Sequence, residues 1–313
     1  MSITNNNTSH EINLHNDEVD MKELFDVLWG KKILVALITS FFALGSVLYS
    51  LSLTNLYRSE ALLSVEGDST NRSSLGSFSG LASTIGINIP TDVGDKGILA
   101  IETIQSRVFL KHLISFKDVL PSLMAAEGYD WPSEKIQFDS DIYNENNKKW
   151  VRKPKKNQLS KPSYIESHGS YLSHLTIIKN QETNNISISI EHVSPIFAKE
   201  FLELIINEAN ELLRNKDLRE STDAIAFLNS EIPKASLVTM KDAINKLVLL
   251  KLETQMMAKI NSEYILKIIE PPFVPEEKSS PNRALICILI TLLGGIISIS
   301  WVLIRYYVVG DKR

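Results

Sequence analysis

The sequence predicts an α+β membrane protein in which two transmembrane helices flank an α/β base domain with a long helical-hairpin arm. Two uncharged apolar runs lie near the ends of the 313-residue chain. Between them, strand-like patterns at 57–66, 174–192 and 264–270 alternate with long helical periodicities at 195–231 and 235–263. The apolar runs supply the membrane helices, the strands supply the base, and the two long helices supply the arm.

The apolar runs cover 33–53 and 284–304 and contain no charged residue. A helix of about 21 residues is roughly 31 Å long, which matches the hydrocarbon core of a bilayer. Buried helices of soluble proteins rarely contain such a run. The first run follows 32 mostly polar and acidic residues and is too long for the apolar segment of a cleaved signal peptide. We therefore expect two retained membrane helices.

Flanking charge orients these helices. The basic residues beyond the outer ends of the runs are Lys31, Lys32, Arg305, Lys312 and Arg313. Arg58 and Arg283 flank the inner ends and weaken the contrast. The balance predicts that both termini share the cytoplasm. The cytoplasmic parts are then 1–32, with an amphipathic helix from residue 17, and the tail 305–313, while 54–283 lies across the membrane.

The middle of the chain reads as a mixture of short elements. We predict a turn or loose helix at the Ser- and Gly-rich stretch 73–90, one helix at 97–116, loops at 128–170, and a β-hairpin from strands 174–179 and 186–192.

The arm follows from two long helices. Pro195 opens the first and Pro233 ends it, and the second returns toward the strand at 264–270. Both flanking strands lie close in sequence to a membrane helix, so we expect one long helix to project outward and the other to return. Thin arms bury little surface alone, and their apolar stripes predict packing against neighbouring subunits.

Two groups of residues are candidates for the membrane junction and for helix packing. A stiff, extended connector before the second apolar run is predicted by Pro271, Pro272, Pro275 and Pro281. Close packing of the membrane helices is predicted by Gly294, Gly295 and Ser298, and the small pair Ala36 and Ser40 has the same spacing in the first run.

A basic run surrounds Trp150. It contains Lys148, Lys149, Arg152, Lys153, Lys155 and Lys156. One interpretation is contact with an anionic glycan, a lipid headgroup or a protein partner. The other is a solvated loop, which is the commoner fate of charged runs.

The sequence offers no catalytic, cofactor-binding or metal-binding motif. The six histidines are scattered, and the single cysteine, Cys287, cannot build a thiolate zinc site. A net charge of -4 does not favour nucleic acid. An enzyme that uses a dispersed pair of carboxylates remains a distant hypothesis.

Several segments, in chain order, resemble one family. They are VDMKELFDVLWGKK, YRSEALLSVE, LGSFSGLASTIGI, GILAIETIQSRVFLKHLI and IIEPPFVPEEKSSPNRA. With them the chain resembles the bacterial polysaccharide chain-length determinants, or Wzz-type polysaccharide co-polymerases, over nearly its whole length. The spacing from Pro275 to Pro281 departs slightly from the regular proline series of that family.

The resemblance implies a ring-like homo-oligomer in a bacterial inner membrane, with 54–283 in the periplasm. It implies a membrane polysaccharide polymerase and a lipid-linked glycan as partners. The oligomer would set the modal length of a surface polysaccharide, foremost the O-antigen of lipopolysaccharide, without being an enzyme. Relatives with a tyrosine kinase need a cytoplasmic phosphate loop, for which the nine residues 305–313 give no room. A two-pass adaptor of a polysaccharide exporter is the alternative, because it can share this topology.

Overall fold

The computed structural model describes residues 21–65, 96–154, 158–235, 237–261 and 263–306. Four predicted parts of the chain lie outside these ranges. They are residues 1–20, which include the start of the predicted amphipathic helix, the predicted turn or loose helix at 73–90, residues 307–313 of the tail, and the lysines Lys155 and Lys156.

The chain divides into two compact units. One is formed by Met1–Leu53 with Asn282–Arg313, and the other by Thr54–Pro281. In chain order the described helices and strands are α1 (Met21–Gly30), α2 (Lys32–Ser52), β1 (Tyr57–Val65), α3 (Lys96–Gln105), α4 (Arg107–Leu113), α5 (Val119–Ala125), β2 (Ala126–Asp130), β3 (Lys135–Phe138), β4 (Tyr143–Asn144), β5 (Lys149–Trp150), α6 (Tyr164–His174), β6 (Leu175–Lys179), β7 (Ile186–His192), α7 (Pro195–Glu231), a 3-10 turn (Ile232–Lys234), α8 (Val238–Ile260), β8 (Leu266–Glu270) and α9 (Arg283–Ile304).

The first unit contains the two long apolar helices α2 and α9, of 21 and 22 residues. Their large side chains are mostly exposed, for example Ile33 at 78%, Phe41 at 72% and Ile288 at 65%. A core helix of a soluble protein would bury such residues, and soluble monomers rarely expose so continuous an apolar surface to water. Both helices therefore have the length, composition and exposed surface of membrane spans.

The second unit is built on a four-stranded antiparallel sheet in the order β6–β7–β1–β8. β1 and β7 pair from Tyr57↔His192 to Leu63↔Ile186. Alternate residues of these two strands are buried on one face, namely Tyr57, Ser59, Ala61, Leu63, Ile186, Ile188 and Ile190. That face belongs to the hydrophobic core, as the period of two along each strand requires.

α7 covers the sheet with its first half. The Oγ of Ser194 accepts the backbone N–H of Phe197 at 3.2 Å, and Pro195 occupies the first turn, which is a favoured helix start. The core residues that α7 contributes are Ala198, Phe201, Leu202, Ile205, Ile206, Ala209 and Leu213. The sheet packs against this face, while the rest of the helix extends beyond the core residues.

α7 and α8 form an antiparallel helical hairpin about the turn that contains Pro233. With 37 and 23 residues, the helices are about 55 Å and 35 Å long. Among the described residues from 214 to 260, the buried ones are Ser221, Ala235, Ile244 and Ala258. The hairpin beyond the core is therefore thinly packed, as predicted for an arm, and the mixed helix and sheet architecture confirms the predicted fold class.

The single helix predicted at 97–116 is wrong, because the chain forms two helices there. Ser106 lies between them with an extended backbone (φ -74°, ψ 149°), and its Oγ accepts the N–H of Phe109 at 3.1 Å. Serine is a favoured N-cap residue, and here it ends one helix and begins the next. The apolar residues keep a helical spacing on both sides of Ser106, so their periodicity does not reveal the break.

The loop predicted at 128–170 is also wrong. The segment contains the β2–β3 hairpin, the short β4–β5 ribbon and most of α6. The ribbon is held by aromatic contacts, with ring centroids of Tyr143 5.4 Å from Phe138 and 5.1 Å from Trp150. Its strands are only two residues long, too short to show the alternation that predicts a strand.

Candidate functional site

The proline connector between β8 and α9 lies against the domain along the start of β1. Pro272 and Pro275 are buried, whereas Pro271 is exposed and Pro281 is half-buried. The Oγ of Ser59 donates to the carbonyl of Phe273 at 2.7 Å. Proline has no backbone N–H, so an extended connector can pack against the domain without burying unpaired N–H groups at the proline positions.

The connector ends in a bridge to the entry strand. Leu56 N–H donates to the Ser280 carbonyl at 2.9 Å, and Ser279 N–H donates to the Leu56 carbonyl at 2.9 Å. Leu56 follows α2 and Ser280 precedes α9. The chain therefore enters and leaves the second unit at one hydrogen-bonded position.

Within the first unit, α2 and α9 pack through small residues. A Cβ on Gly294 would lie 2.5 Å from the Cβ of Phe42, so a larger residue cannot fit there without movement. Ser298 is fully buried, and its Oγ donates to the carbonyl of Gly295 at 2.7 Å. The Nη2 of Arg283 donates to the Leu53 carbonyl at 3.3 Å, which fixes the start of α9 beside the end of α2.

Three of the predicted packing positions differ from expectation. A Cβ on Gly295 would meet nothing within 4 Å, and the residue lines a groove of about 660 Å³ with Cys287, Thr39 and several apolar side chains. Ala36 and Ser40 are exposed, and the buried small residues of α2 are Ser46 and Ser50. Spacing alone could not tell which face of α2 meets α9.

The base of the arm is held by a buried amide. Asn210 on α7 accepts the N–H groups of Ile265 and Leu266 at 3.1 and 2.9 Å and donates to the Leu266 carbonyl at 2.8 Å. The side chain of Tyr264 donates to Asp217 at 2.6 Å, and burial raises the pKa of that phenol. These bonds fix the start of β8 against α7. A lone Asn inside an apolar stripe is a weak signal for such bonds.

α8 presents an apolar stripe that nothing in the described residues covers. Leu249 is 65% exposed, Met256 59% and Ile260 74%, and Leu252 lies between them at helical spacing. We call these four residues the α8 stripe. Such a stripe on a thin hairpin is typical of a surface that packs against another helix.

The N-terminal third of the chain matches the model of a known family. Residues 17–115 match the family model described as Wzz, chain length determinant protein. These residues carry a Wzz domain. It includes the first membrane helix α2, the central strand β1, and the pair α3 and α4.

Solved structures give two further comparisons. A full-length bacterial polysaccharide co-polymerase is 13% identical, with 94% of this chain and 99% of that chain covered and a TM-score of 0.38. A fragment of WzzB, a polysaccharide co-polymerase from Salmonella Typhimurium, is 12% identical, with coverage of 72% and 100% and a TM-score of 0.30. Both scores are too low to carry an argument. No curated protein sequence matches the chain significantly.

Outside the Wzz domain, the basic run lies on the β4–β5 ribbon and on the irregular segment that follows β5. Lys148, Lys149 and Lys153 are exposed. Arg152 instead donates to both carboxylate oxygens of Glu166 on α6 and to the carbonyls of Ser160 and Leu159. Its guanidinium is therefore occupied within the fold, which leaves the three described lysines as the surface open to a partner.

A buried histidine lies where the Wzz domain meets α7. His192, the pairing partner of Tyr57, donates from Nε2 to the Ser122 carbonyl at 2.9 Å and accepts the Ser194 N–H at Nδ1 at 3.1 Å. Burial lowers the pKa of His192 to about 4. His174 has its ring centroid 5.7 Å away, and burial lowers its pKa as well. Both nitrogens of His192 have partners that suit the neutral ring, so its role in this arrangement is structural.

Within the described part of the chain, no group of three or more His, Cys, Asp or Glu side chains is placed to hold a metal ion. The predicted site residues lie in three separate places, which are the connector, α9 and the β4–β5 ribbon. Sequence reasoning missed Asn210 and His192, whose partners Ile265 and Ser122 are 55 and 70 residues away in the chain.

Proposed function

We propose that this chain is a membrane-anchored polysaccharide co-polymerase that sets the modal length of a surface polysaccharide. The observation that carries the proposal is the Wzz domain at residues 17–115. That domain contains one membrane helix and a central strand of the sheet, so it supplies part of the anchor and part of the core of the second unit.

In this proposal the chain acts as an oligomeric scaffold. The α8 stripe supports self-association. Its four apolar side chains are exposed on a two-helix hairpin, and burying them against a second copy would lower the free energy by removing apolar surface from water. The partners are a membrane polymerase and its lipid-linked glycan, with the O-antigen of lipopolysaccharide as the first candidate product. The ring-like assembly is part of the proposal.

The proposal assigns bond formation to the polymerase and geometry to this chain. The described groups with strongly shifted pKa values support this division. His192 has two backbone partners, while Tyr171 donates to the Ile104 carbonyl at 3.0 Å in the core. Tyr264 is bonded to Asp217. Each is held by the fold rather than presented to a substrate.

We place the chain in a bacterial inner membrane with both termini in the cytoplasm and 54–283 in the periplasm. Lys31 and Lys32 beside α2 and Arg305 after α9 support this orientation. The bridge between Leu56 and Ser280 supports a shared side for the inner ends of the two spans, because one tether joins them.

The second candidate is a two-pass periplasmic adaptor of an envelope polysaccharide exporter. The same anchor, arm and topology would serve it. The two functions differ in what is lost with the gene, because an adaptor is needed for export and a length regulator for size distribution.

The deciding experiment is a gel of surface polysaccharide from cells with and without the gene. We expect a modal cluster of bands to collapse to a short, unregulated ladder on deletion and to return on complementation. Complementation with Met256→Lys, which alters the α8 stripe, tests the scaffold in the same gel. An unchanged ladder contradicts length control, and loss of all surface polysaccharide favours the exporter adaptor.

A further inference from the structure

Three aromatic side chains form a cluster at the start of the sheet. The ring centroid of Trp131 is 5.4 Å from that of Tyr57 and 5.3 Å from that of Tyr129, both in edge-on arrangements. Trp131 Nε1 donates to the Tyr57 hydroxyl at 3.3 Å. Tyr57 is buried, but Trp131 is 51% exposed. A large aromatic side chain is therefore fixed to the domain with half of its surface unburied.

The turn that presents Trp131 is tightly constrained. Trp131 follows Asp130, which pairs with Lys135 at the end of the β2–β3 hairpin. Pro132 fixes the next φ angle, and the hydroxyl of Ser133 donates to the Asp130 carboxylate. The indole is thus held in one position and is not carried on a loose loop.

Chain connectivity locates this cluster near the ends of the membrane helices. Tyr57 follows the last residue of α2, Ser52, by five residues, which can span at most about 18 Å. Its neighbour Leu56 is bonded to Ser280, only three residues or about 11 Å before Arg283 at the start of α9. The two limits hold for any orientation of the second unit.

A second exposed apolar group lies at the same edge. Phe273 and Val274 on the proline connector are 55% and 45% exposed. The Phe273 carbonyl is bonded to Ser59, two residues from Tyr57 along β1. Two separate elements, a hairpin turn and a connector, therefore present bulky apolar side chains close to where the chain meets the membrane.

We propose that Trp131 is an interfacial anchor that contacts the lipid headgroup region of the protein's own membrane, with Phe273 as a second contact. Trp combines an apolar ring with a polar N–H and is enriched at membrane–water interfaces for that reason. Continuity with the two spanning helices selects the bilayer as the occupant. Asp130 and Glu134 lie one and three residues from Trp131 and would keep the turn at headgroup depth, because carboxylates are costly in the hydrocarbon core.

This contact would fix the height and tilt of the domain over the bilayer. It does not rest on the proposed control of polysaccharide length, and it applies equally to an exporter adaptor.

Fluorescence of single-tryptophan variants tests the proposal. The chain has four tryptophans, Trp29, Trp131, Trp150 and Trp301. Each is retained in turn, with the other three changed to Phe, in the full-length protein reconstituted into phosphatidylethanolamine vesicles containing phosphatidylcholine brominated near the headgroup end of its chains. Trp301, in α9, is the positive control, and Trp150, in the β4–β5 ribbon, is the matched control outside the membrane.

We expect brominated lipid to reduce Trp131 emission at least twofold, to leave Trp150 unchanged, and acrylamide to quench Trp131 less than Trp150. Adding Phe273→Ser should weaken the lipid quenching of Trp131. In a separate check that keeps the other tryptophans, Trp131→Phe should lower the fraction of total emission that lipid quenches.

Quenching of Trp301 without quenching of Trp131 would overturn the proposal while leaving the membrane helices in place. Absence of quenching in both would overturn it together with the membrane assignment. Protection of Trp131 that appears on adding purified polysaccharide, or only at protein densities that promote self-association, would assign the ring to a glycan or to a second copy and would likewise overturn it.

Discussion

Single residues decide the fit between the elements of this protein. Gly294 lets α9 approach Phe42. Asn210 binds three backbone groups of Ile265 and Leu266, at the start of β8, and Ser106 divides one apolar stretch into two helices. Each acts because a buried group has either too little space or a polar atom in need of a partner. At such positions a single substitution should have an effect out of proportion to its size.

The two glycines of α9 provide a matched pair. We expect Gly294→Val to destabilise the α2–α9 pair by about 1–3 kcal/mol, since its Cβ would overlap Phe42. Gly295→Val should have a much smaller effect, because open space surrounds that position. The thermal unfolding midpoint of the full-length protein in detergent measures both. Equal losses in the two variants would contradict this packing.

His192 should make stability depend on pH. Its folded pKa, about 4, lies below the usual 6.5, so the unfolded chain binds more protons between these values. Stability is then fully present above about pH 6.5 and falls toward pH 4, by up to about 3 kcal/mol from this group. Urea unfolding of the detergent-solubilised protein at pH 7.5 and 5.0 measures the loss.

The control for this pH dependence is His192→Asn, which keeps a polar side chain but does not titrate. It should be less stable than the unchanged protein at pH 7.5 yet lose less stability on acidification. A parallel loss in both proteins would show that another group, such as His174, carries the effect.

At the scale of elements, the arm differs from the base in how it is stabilised. The first half of α7 lies in the core, whereas the hairpin beyond it buries few residues and exposes the α8 stripe. An isolated two-helix hairpin gains little from packing, so its stability should depend on neighbours.

Charge placed on the α8 stripe should therefore disrupt assembly. We expect Met256→Lys to lower the oligomeric state and shorten the modal polysaccharide, with the fold of the subunit kept because the position is exposed. Lys251→Glu, on the opposite side of α8, is the matched control and should leave both unchanged. Native mass spectrometry from detergent reports the oligomer. A normal oligomer with Met256→Lys would remove the stripe from the interface.

At the scale of the whole molecule, both ends of the second unit meet at one position. The Leu56–Ser280 bridge joins residues 224 apart in sequence. Leu56 follows the last residue of α2 by four residues, and Ser280 precedes the first residue of α9 by three. We therefore expect a domain tethered in this way by two spans to lie on one side of the membrane and both chain ends to lie on the other.

Cysteine labelling checks this topology. With Cys287 changed to Ser, Ser230→Cys near the end of α7 should react with a membrane-impermeant maleimide in intact cells, because it is exposed on the arm. Ser9→Cys in the N-terminal segment should react only after lysis. The opposite pattern would invert the orientation, and labelling at both positions in intact cells would exclude two spans.

The sequence by itself determined the membrane helices, the long helices of the arm and the strands of the hairpin. Each depends on a pattern of neighbouring residues, such as an uncharged run or a period of 3.6 or 2. The proline connector could be located for the same reason, since proline restricts the backbone wherever it occurs.

The tertiary structure alone decided which of these residues meet. Gly294 rather than Gly295 packs on Phe42. Arg152 binds Glu166, so its guanidinium is not part of the exposed basic surface. The Trp131 ring contacts Tyr57. The partners in these contacts are separated by 14 to about 250 residues, and a sequence pattern carries no information on which distant side chains share a face. Burial and hydrogen bonding between distant segments, not local propensity, fixed the candidate site.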